Sequence, residues 1–363
     1  MTEQAMTLQP NWVSPPGDTI VDLLEEKGWT QAEFAQRCGY TTKHISQLVN
    51  GKAPITEETA IKLERVLGST ARFWLTREAQ YREVLARREE IESLRAEASW
   101  LKELPLKDMI RFKWIRKFAD KGEQVAECLS FFGVSSVDIW RKQYAEPLAA
   151  FKASDKFEKD AAAVAAWLRQ GERRAAEIYT RSYIKERFRE SLFELRALTN
   201  EPDPEVFVPR LVEQCAKSGV AVVFEPAPKG CPVSGATRWL APDKALIMLS
   251  LRYKTNDHLW FAFFHEAAHI LLHGKRMVFL EGKGLDSEHE READQFASDL
   301  LIPPHMSARL PMLPKTYAAV TSFAKDIGVA PGIVVGRMQK EKLIDWGWLN
   351  KCKVRYTWKI GDY

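Results

Sequence analysis

At 363 residues the chain is long enough for two or three domains, and 45% hydrophobic with 28% charged residues is ordinary for a globular protein with ample core. A net charge of +4 over that length does not by itself imply nucleic-acid or membrane binding. No apolar run approaches the ~20 residues of a membrane span, and the polar start with its Pro15-Pro16-Gly17 break has no secretory core, so no membrane partner is expected and a cytoplasmic protein is.

The first patterned stretch runs from Trp29 to Lys52. Thr30 can cap a helix with Phe34, Ala35 and Cys38 on its apolar face. Gly39 breaks that helix in a tight turn, and Thr41 starts a second with Ile45, Leu48 and Val49 facing inward, ended by Asn50-Gly51. Flanking helices follow from Ile20 to Leu24 and from Glu57 to Leu67. Two short helices around a glycine turn, inside a bundle, form a helix-turn-helix. Residues 18–80 resemble XRE-type repressors, especially the antitoxin branch with its Gly51-Lys52-Ala53-Pro54-Ile55-Thr56 ending. The resemblance implies that the second helix enters the major groove of operator DNA. Thr41, Thr42, Lys43, His44, Ser46 and Gln47 would then face bases and phosphates, with Gln47 suited to adenine and Lys43 and Lys52 to phosphate. Charge runs the other way: from Asp18 to Glu78 there are eight Lys and Arg against nine Asp and Glu, a net of −1 where a DNA-binding domain is usually basic. Homodimer formation, or the segment with Lys107, Arg111, Lys113, Arg116 and Lys117, can supply the missing charge.

Residues 81–204 read as a helical connecting region. Glu83 to Leu101 is a charged helix suited to a linker or dimer contact. Beyond it, helical patterns surround Phe131, Trp140, Val164, Trp167 and Phe188, with Gly133 and Gly171 expected to interrupt them. Asn200-Glu201-Pro202-Asp203-Pro204 marks a boundary.

After it the texture changes. Leu211, Val212 and Cys215 mark a helix, Val220 to Phe224 a buried strand, and two more strands are expected near 234–240 and 245–251. Leu246 to Ser250 is read as an edge strand able to hold an extended peptide. The five cysteines, Cys38, Cys128, Cys215, Cys231 and Cys352, lack C-x-x-C spacing and read as reduced core thiols. Cys231 sits in the loop Lys229-Gly230-Cys231-Pro232 before the second strand, where a thiolate could close an open metal position as a latch.

The segment Phe263 to His273 holds His265-Glu266-Ala267-Ala268-His269 inside an apolar, helix-favouring run. Positions four apart lie one above the other on a helix, so the two imidazoles can grip one metal ion while Glu266 handles the protons of a water there. Two imidazoles and a carboxylate buried on one face without partners would cost several kcal/mol; a metal neutralises that cost. His273 lies eight residues from His265, roughly 12 Å along a helix at 1.5 Å per residue, so it is expected to cap the final turn and not to touch the metal.

The third ligand is expected downstream, between Asp286 and Pro303. Asp286 or Ser287 can cap a helix whose apolar stripe is Ala293, Phe296, Ala297, Leu300 and Leu301. Glu290 and Asp294 are four apart on one face: Glu290 is expected on the metal and Asp294 on the N–H of a ligating histidine. Glu292 lies about 200° around the helix from Glu290 and cannot share its direction; it and Glu288 are the fallbacks. His258, His289 and Tyr253 are candidate stabilisers of an oxyanion. After Pro303-Pro304, residues 317–327 and 331–340 read as a helical pair.

An H-E-x-x-H helix, a second helix of the form E-x-E-A-D-x-F-A, and Leu300-Leu301-Ile302-Pro303 after it resemble the ImmA/IrrE family of zinc metallopeptidases over residues 205–340. The resemblance implies a thermolysin-like core and cleavage of a peptide bond in a protein substrate such as a repressor or antitoxin.

The expected architecture is therefore multidomain and mainly α. It has an N-terminal arm (1–17), a helix-turn-helix bundle (18–80), an all-α middle region (81–204) and an α+β thermolysin-like zincin core with a small sheet (205–363). His265, His269 and Glu290 are expected to hold Zn2+ with Glu266 as base, although such ligands also take manganese or iron. A different class stays open: a non-proteolytic antitoxin-type transcriptional regulator whose metal site is structural, against which the intact Glu266 argues.

Overall fold

The computed structural model describes residues 14–146, 161–273, 279–280 and 287–358. Contacts divide the chain into two compact units, Met1–Ala96 and Glu97–Tyr363. Asp286 and the side chain of Ser287, expected as helix caps, lie outside the described residues.

The first unit contains α1 (Pro16–Lys27), α2 (Gln31–Cys38), α3 (Thr42–Val49), α4 (Glu57–Leu67) and α5 (Ala71–Ala96). A reciprocal cap starts α2: Thr30 Oγ1 accepts from the Glu33 N–H at 3.2 Å, and Glu33 Oε2 accepts from the Thr30 N–H at 2.7 Å. Gly39, at φ +70°, ends it in a left-handed cap that a side chain would disfavour. Ile20, Phe34, Ile45, Leu63 and Trp74 close the bundle's core. Of the long α5 only Trp74 and Glu78 are buried, so its charged face is solvated, as its composition requires.

The second unit begins with α6 (Leu106–Arg111), α7 (Lys121–Phe132), α8 (Val137–Trp140) and α9 (Ala161–Glu177). Gly133 caps α7 as expected, but Gly171 does not interrupt a helix; it lies within α9. A Cβ at 171 would sit 2.0 Å from Met248 Sδ, so the glycine is there to let a helix approach the sheet. Trp167 Nε1 donates to the Glu225 carbonyl at 3.0 Å, a second tie between these helices and the sheet.

Then follow α10 (Lys185–Leu195), α11 (Pro204–Lys217), β1 (Val220–Phe224), β2 (Gly235–Ala241), β3 (Lys244–Leu249), α12 (Asn256–Leu272), β4 (Phe279–Leu280) and α13 (Ser287–Leu301). Short α14 (Pro304–Ser307), α15 (Tyr317–Ile327) and α16 (Pro331–Lys340) complete the helices. The sheet has the order β1-β3-β2-β4. β3 runs parallel to β1, with Val222 opposite Ile247, and antiparallel to β2, with Thr237 opposite Ile247. This corrects the reading of Leu246 to Ser250 as an edge: β3 is bonded on both sides, so no peptide can add to it. Its run Ala245–Leu249 is buried at every residue, the mark of a strand covered on both faces.

Helix α12 is the axis of this unit. Trp260, Phe263 and Phe264 are wholly buried in the largest core cluster, and the helix packs against α13, α16 and β2. Near its start, Asp257 pairs with Lys353 at 2.6 Å, both side chains 7% exposed. The Val354 N–H donates to Asn256 Oδ1 at 3.1 Å beside them. Among the described residues no single helix is long and apolar enough to cross a membrane.

Candidate metal centre

Helix α12 presents His265, Glu266 and His269 from its buried side, and the three are 3%, 1% and 1% exposed. Helix α13 crosses it and brings Glu290. The candidate ligand atoms of His265, His269 and Glu290 all lie within 4.8 Å of one another. His265 Nε2 is 3.1 Å from His269 Nε2 and 3.4 Å from Glu290 Oε2, and His269 Nε2 is 3.4 Å from Glu290 Oε1. One turn on from Glu290, Asp294 Oδ1 lies 3.0 Å from His265 Nδ1.

Electrostatics favour positive charge at this point. Burial works against a charged His265, but the carboxylates of Asp294, Glu290 and Glu266 outweigh it and carry its pKa up to about 10. Burial also opposes charge on Glu290, yet its contacts with His265 and His269 bring its pKa down to about 2. Burial holds His269 below the usual histidine range. A carboxylate can only accept, so His265 Nδ1 donates to Asp294, and the proton a metal ion would displace is the one on Nε2, the atom that faces His269 and Glu290. The carboxylates that favour a proton at this point equally favour a divalent cation in its place. Two imidazole nitrogens and a carboxylate oxygen are the donor set of a catalytic zinc site, and the residues fit such an ion.

Glu266 points to the sheet. Thr237 Oγ1, on β2, donates to Glu266 Oε2 at 2.7 Å and lies 3.0 Å from the Glu266 carbonyl oxygen. Gly235, two residues earlier on the same face of β2, leaves the room: a Cβ there would come within 2.7 Å of Glu266 Cγ and Oε1. Neither contact has a local signal in the sequence, because both depend on which strand lies over α12.

The structure places the other singled-out residues elsewhere. His273 ends α12, and its ring is 2.8 Å (Nδ1 to Nδ1) from His269 and 3.1 Å (Nε2) from Glu292, a contact the helix-cap reading missed. Glu292 and the exposed Glu288 are outside the three-residue cluster. So is Cys231, which is buried and in no disulfide, and the structure does not bring the expected latch to those atoms. Tyr253 and His258 stack on each other at 4.4 Å, two turns of helix before His265, while the ring of His289 lies 4.4 Å from that of His273. A cavity of about 300 Å³ opens one turn along α12 from His265, lined by Phe261, Leu301, Ile302, Ile333, Lys340 and Trp346.

In the first unit, Thr41, Thr42, Lys43, Gln47 and Lys52 are exposed along and beside α3, and His44 and Ser46 are half-buried. Thr41 Oγ1 accepts from the His44 N–H at 3.2 Å, so it caps the helix, and the His44 ring packs on Tyr40 at 4.6 Å.

Residues 20–74 match the helix-turn-helix family model, and residues 215–338 match the model of the IrrE N-terminal-like domain. The second match spans the sheet, α12, α13 and, within them, Thr237, His265, Glu266, His269, Glu290 and Asp294. The chain joins a helix-turn-helix domain to an IrrE N-terminal-like domain. Over 60 residues it is 42% identical to YddM, an uncharacterised HTH-type transcriptional regulator of Escherichia coli K12; the stretch is 16% of this chain. The chain spans 64% of that relative's length. A solved structure from Nostoc punctiforme, provisionally described as an antidote protein of a plasmid maintenance system, is 30% identical over 22% of this chain and 87% of its own, with a TM-score of 0.21. The IrrE-like domain thus carries the candidate metal centre, and the helix-turn-helix domain carries α3.

Proposed function

We propose that the chain is a DNA-binding transcriptional regulator whose IrrE-like domain is a zinc-dependent endopeptidase acting on a protein substrate such as a repressor or antitoxin. The observation that carries the reading is the convergence of His265, His269 and Glu290 beside a buried Glu266 oriented by Thr237.

His265, His269 and Glu290 would hold the ion, with Asp294 fixing the His265 ring through its Nδ1–H. Zinc bound there supplies Lewis-acid chemistry, polarising a carbonyl and making water acidic enough to attack near neutral pH. The Glu266 carboxylate, oriented by Thr237, takes the proton of the attacking water and passes it to the leaving amine. The cavity beyond Phe261 has mostly apolar walls and suits an apolar side chain next to the scissile bond. In the other unit, Lys43, Gln47 and Lys52 would meet operator DNA, Gln47 at a base edge and the lysines at phosphates.

The test uses the full chain loaded with zinc and a peptide library read by mass spectrometry. Cleavage by the parent, lost in Glu266→Gln while bound zinc is unchanged, is the expected result. A parent that cleaves nothing, and whose regulation of its operator is unaltered by Glu266→Gln, would instead make the metal site structural. For the DNA-binding part, Lys43→Ala with Gln47→Ala should abolish selection of a sequence from random duplexes; retained selection would reject α3 as the reading helix.

A further inference from the structure

The side chains behind His269 form a line that the reading above does not use. Glu292 Oε2 lies 3.1 Å from His273 Nε2, and His273 Nδ1 lies 2.8 Å from His269 Nδ1. Because a carboxylate accepts and does not donate, the proton of the first contact belongs to His273 Nε2. A neutral His273 then has a bare Nδ1 that can only accept. The proton of the second contact therefore belongs to His269 Nδ1, which leaves the His269 lone pair on Nε2. That is the atom 3.1 Å from His265 Nε2 and 3.4 Å from Glu290 Oε1.

We propose that Glu292 and His273 form a positioning relay that fixes the tautomer and ring angle of His269 as a metal ligand. The two histidines are then held differently: His265 directly by a carboxylate, Asp294, and His269 through an intervening imidazole. The fold explains the need. Asp294 and Glu290 share one face of α13, whereas Glu292 points about 200° away from Glu290 and lies beyond the end of the histidine row. An imidazole at the end of α12 spans that gap. The His273 side chain is buried at 2% exposure, so its ring nitrogens need partners, while the Glu292 side chain is 54% exposed. The relay acts mainly by placing protons, since solvent screens much of the Glu292 charge.

This rests on His265, His269 and Glu290 being the metal ligands. It is tested by zinc affinity, measured by competition with a chromophoric chelator, and by the visible spectrum of the cobalt-substituted full chain. His273→Phe should weaken zinc binding 10- to 100-fold and shift the cobalt band. His273→Asn, whose amide oxygen can accept the His269 proton, should recover most of the loss. Both variants remove the imidazole, so a role in packing alone predicts equal weakening. Equal weakening would overturn the proposal, as would parental affinity in His273→Phe. Should His273→Phe not fold, Glu292→Ala and Glu292→Gln decide: the first should lose a few-fold in affinity and the second retain it, and indistinguishable affinities would overturn the relay. A parent that takes no zinc defeats this proposal together with the metal site, whereas one that takes zinc and cleaves nothing defeats only the peptidase reading.

Discussion

The ammonium of Lys340 lies 3.2 Å from Oδ2 of Asp294. Asp294 uses its other oxygen on His265, so a residue of α16 is linked to a candidate metal ligand through one carboxylate. Both partners are about half exposed, which limits the ion pair to about 1 kcal/mol or less. Lys340→Met should therefore lower zinc affinity by no more than about fivefold. Asp294→Ala, which removes the support of the imidazole itself, should lower it 10- to 100-fold. Chelator competition on the two variants gives the comparison, and equal losses would show that the ion pair orients His265.

Gly235→Ala should separate Glu266 from the rest of the centre. The added methyl needs the space within 2.7 Å of Glu266 Cγ, and the flexible side chain is what yields. Zinc affinity should stay within a few-fold of the parent while peptide cleavage falls at least 10-fold, the scale of general-base catalysis being ~10²–10⁴. Undiminished cleavage would mean that the position of Glu266 is not what limits the reaction.

At Gly171 the same substitution meets a side chain enclosed in the core. Met248 is on the inner strand β3 at 1% exposure, so its side chain can shift only by displacing its own neighbours. Alanine is worth up to about 1 kcal/mol more than glycine within a helix, but overpacking costs about 1–3 kcal/mol. Gly171→Ala should therefore destabilise the protein by about 1–2 kcal/mol in urea unfolding. Combined with Met248→Ala it should cost less than the sum of the single changes; strict additivity would deny the contact.

Glu225 makes stability depend on pH. Burial holds its carboxyl above the usual range, although Gln170, Arg174 and Trp114 all pull the other way. A raised folded pKa means that the folded state keeps the proton more tightly. Its contribution is complete below the ordinary value of 4.5 and is lost as pH rises through the folded value. Glu225→Gln removes the titration while keeping an acceptor for the Trp114 N–H, now 3.2 Å from Oε2. The urea midpoint of the variant should fall less than the parent's between pH 4.5 and 7, and superimposable profiles would contradict the assignment.

What can be read from the sequence is mostly local. The reciprocal cap Thr30–Glu33 and the glycine turn at Gly39 are defined within four residues, and the helices of the first unit follow from them. His265 and His269 need only the helical repeat to face one way. Glu290 and Asp294 need the same repeat on a second helix, and the crossing of α12 and α13 brings the two rows together. The misreadings come from contacts between elements. An unbroken apolar run does not tell a central strand from an edge, so β3 reads as a rim strand. Gly171 reads as a helix break because nothing nearby in the chain announces Met248. An axial separation from His265 of roughly 12 Å sets His273 aside, yet its partner is His269, one turn away; a third histidine at the same spacing is the available signal.

The salt bridge between Asp257 and Lys353 has a practical bearing on anyone trimming this protein. Shortening the C-terminal stretch to before Lys353 would strand a carboxylate in the interior at the root of the helix that bears both imidazoles, and stranding a buried charge costs about 3–5 kcal/mol. A trimmed preparation that failed to take up metal would then be reporting a loosened scaffold, and its chemistry should not be inferred from that failure.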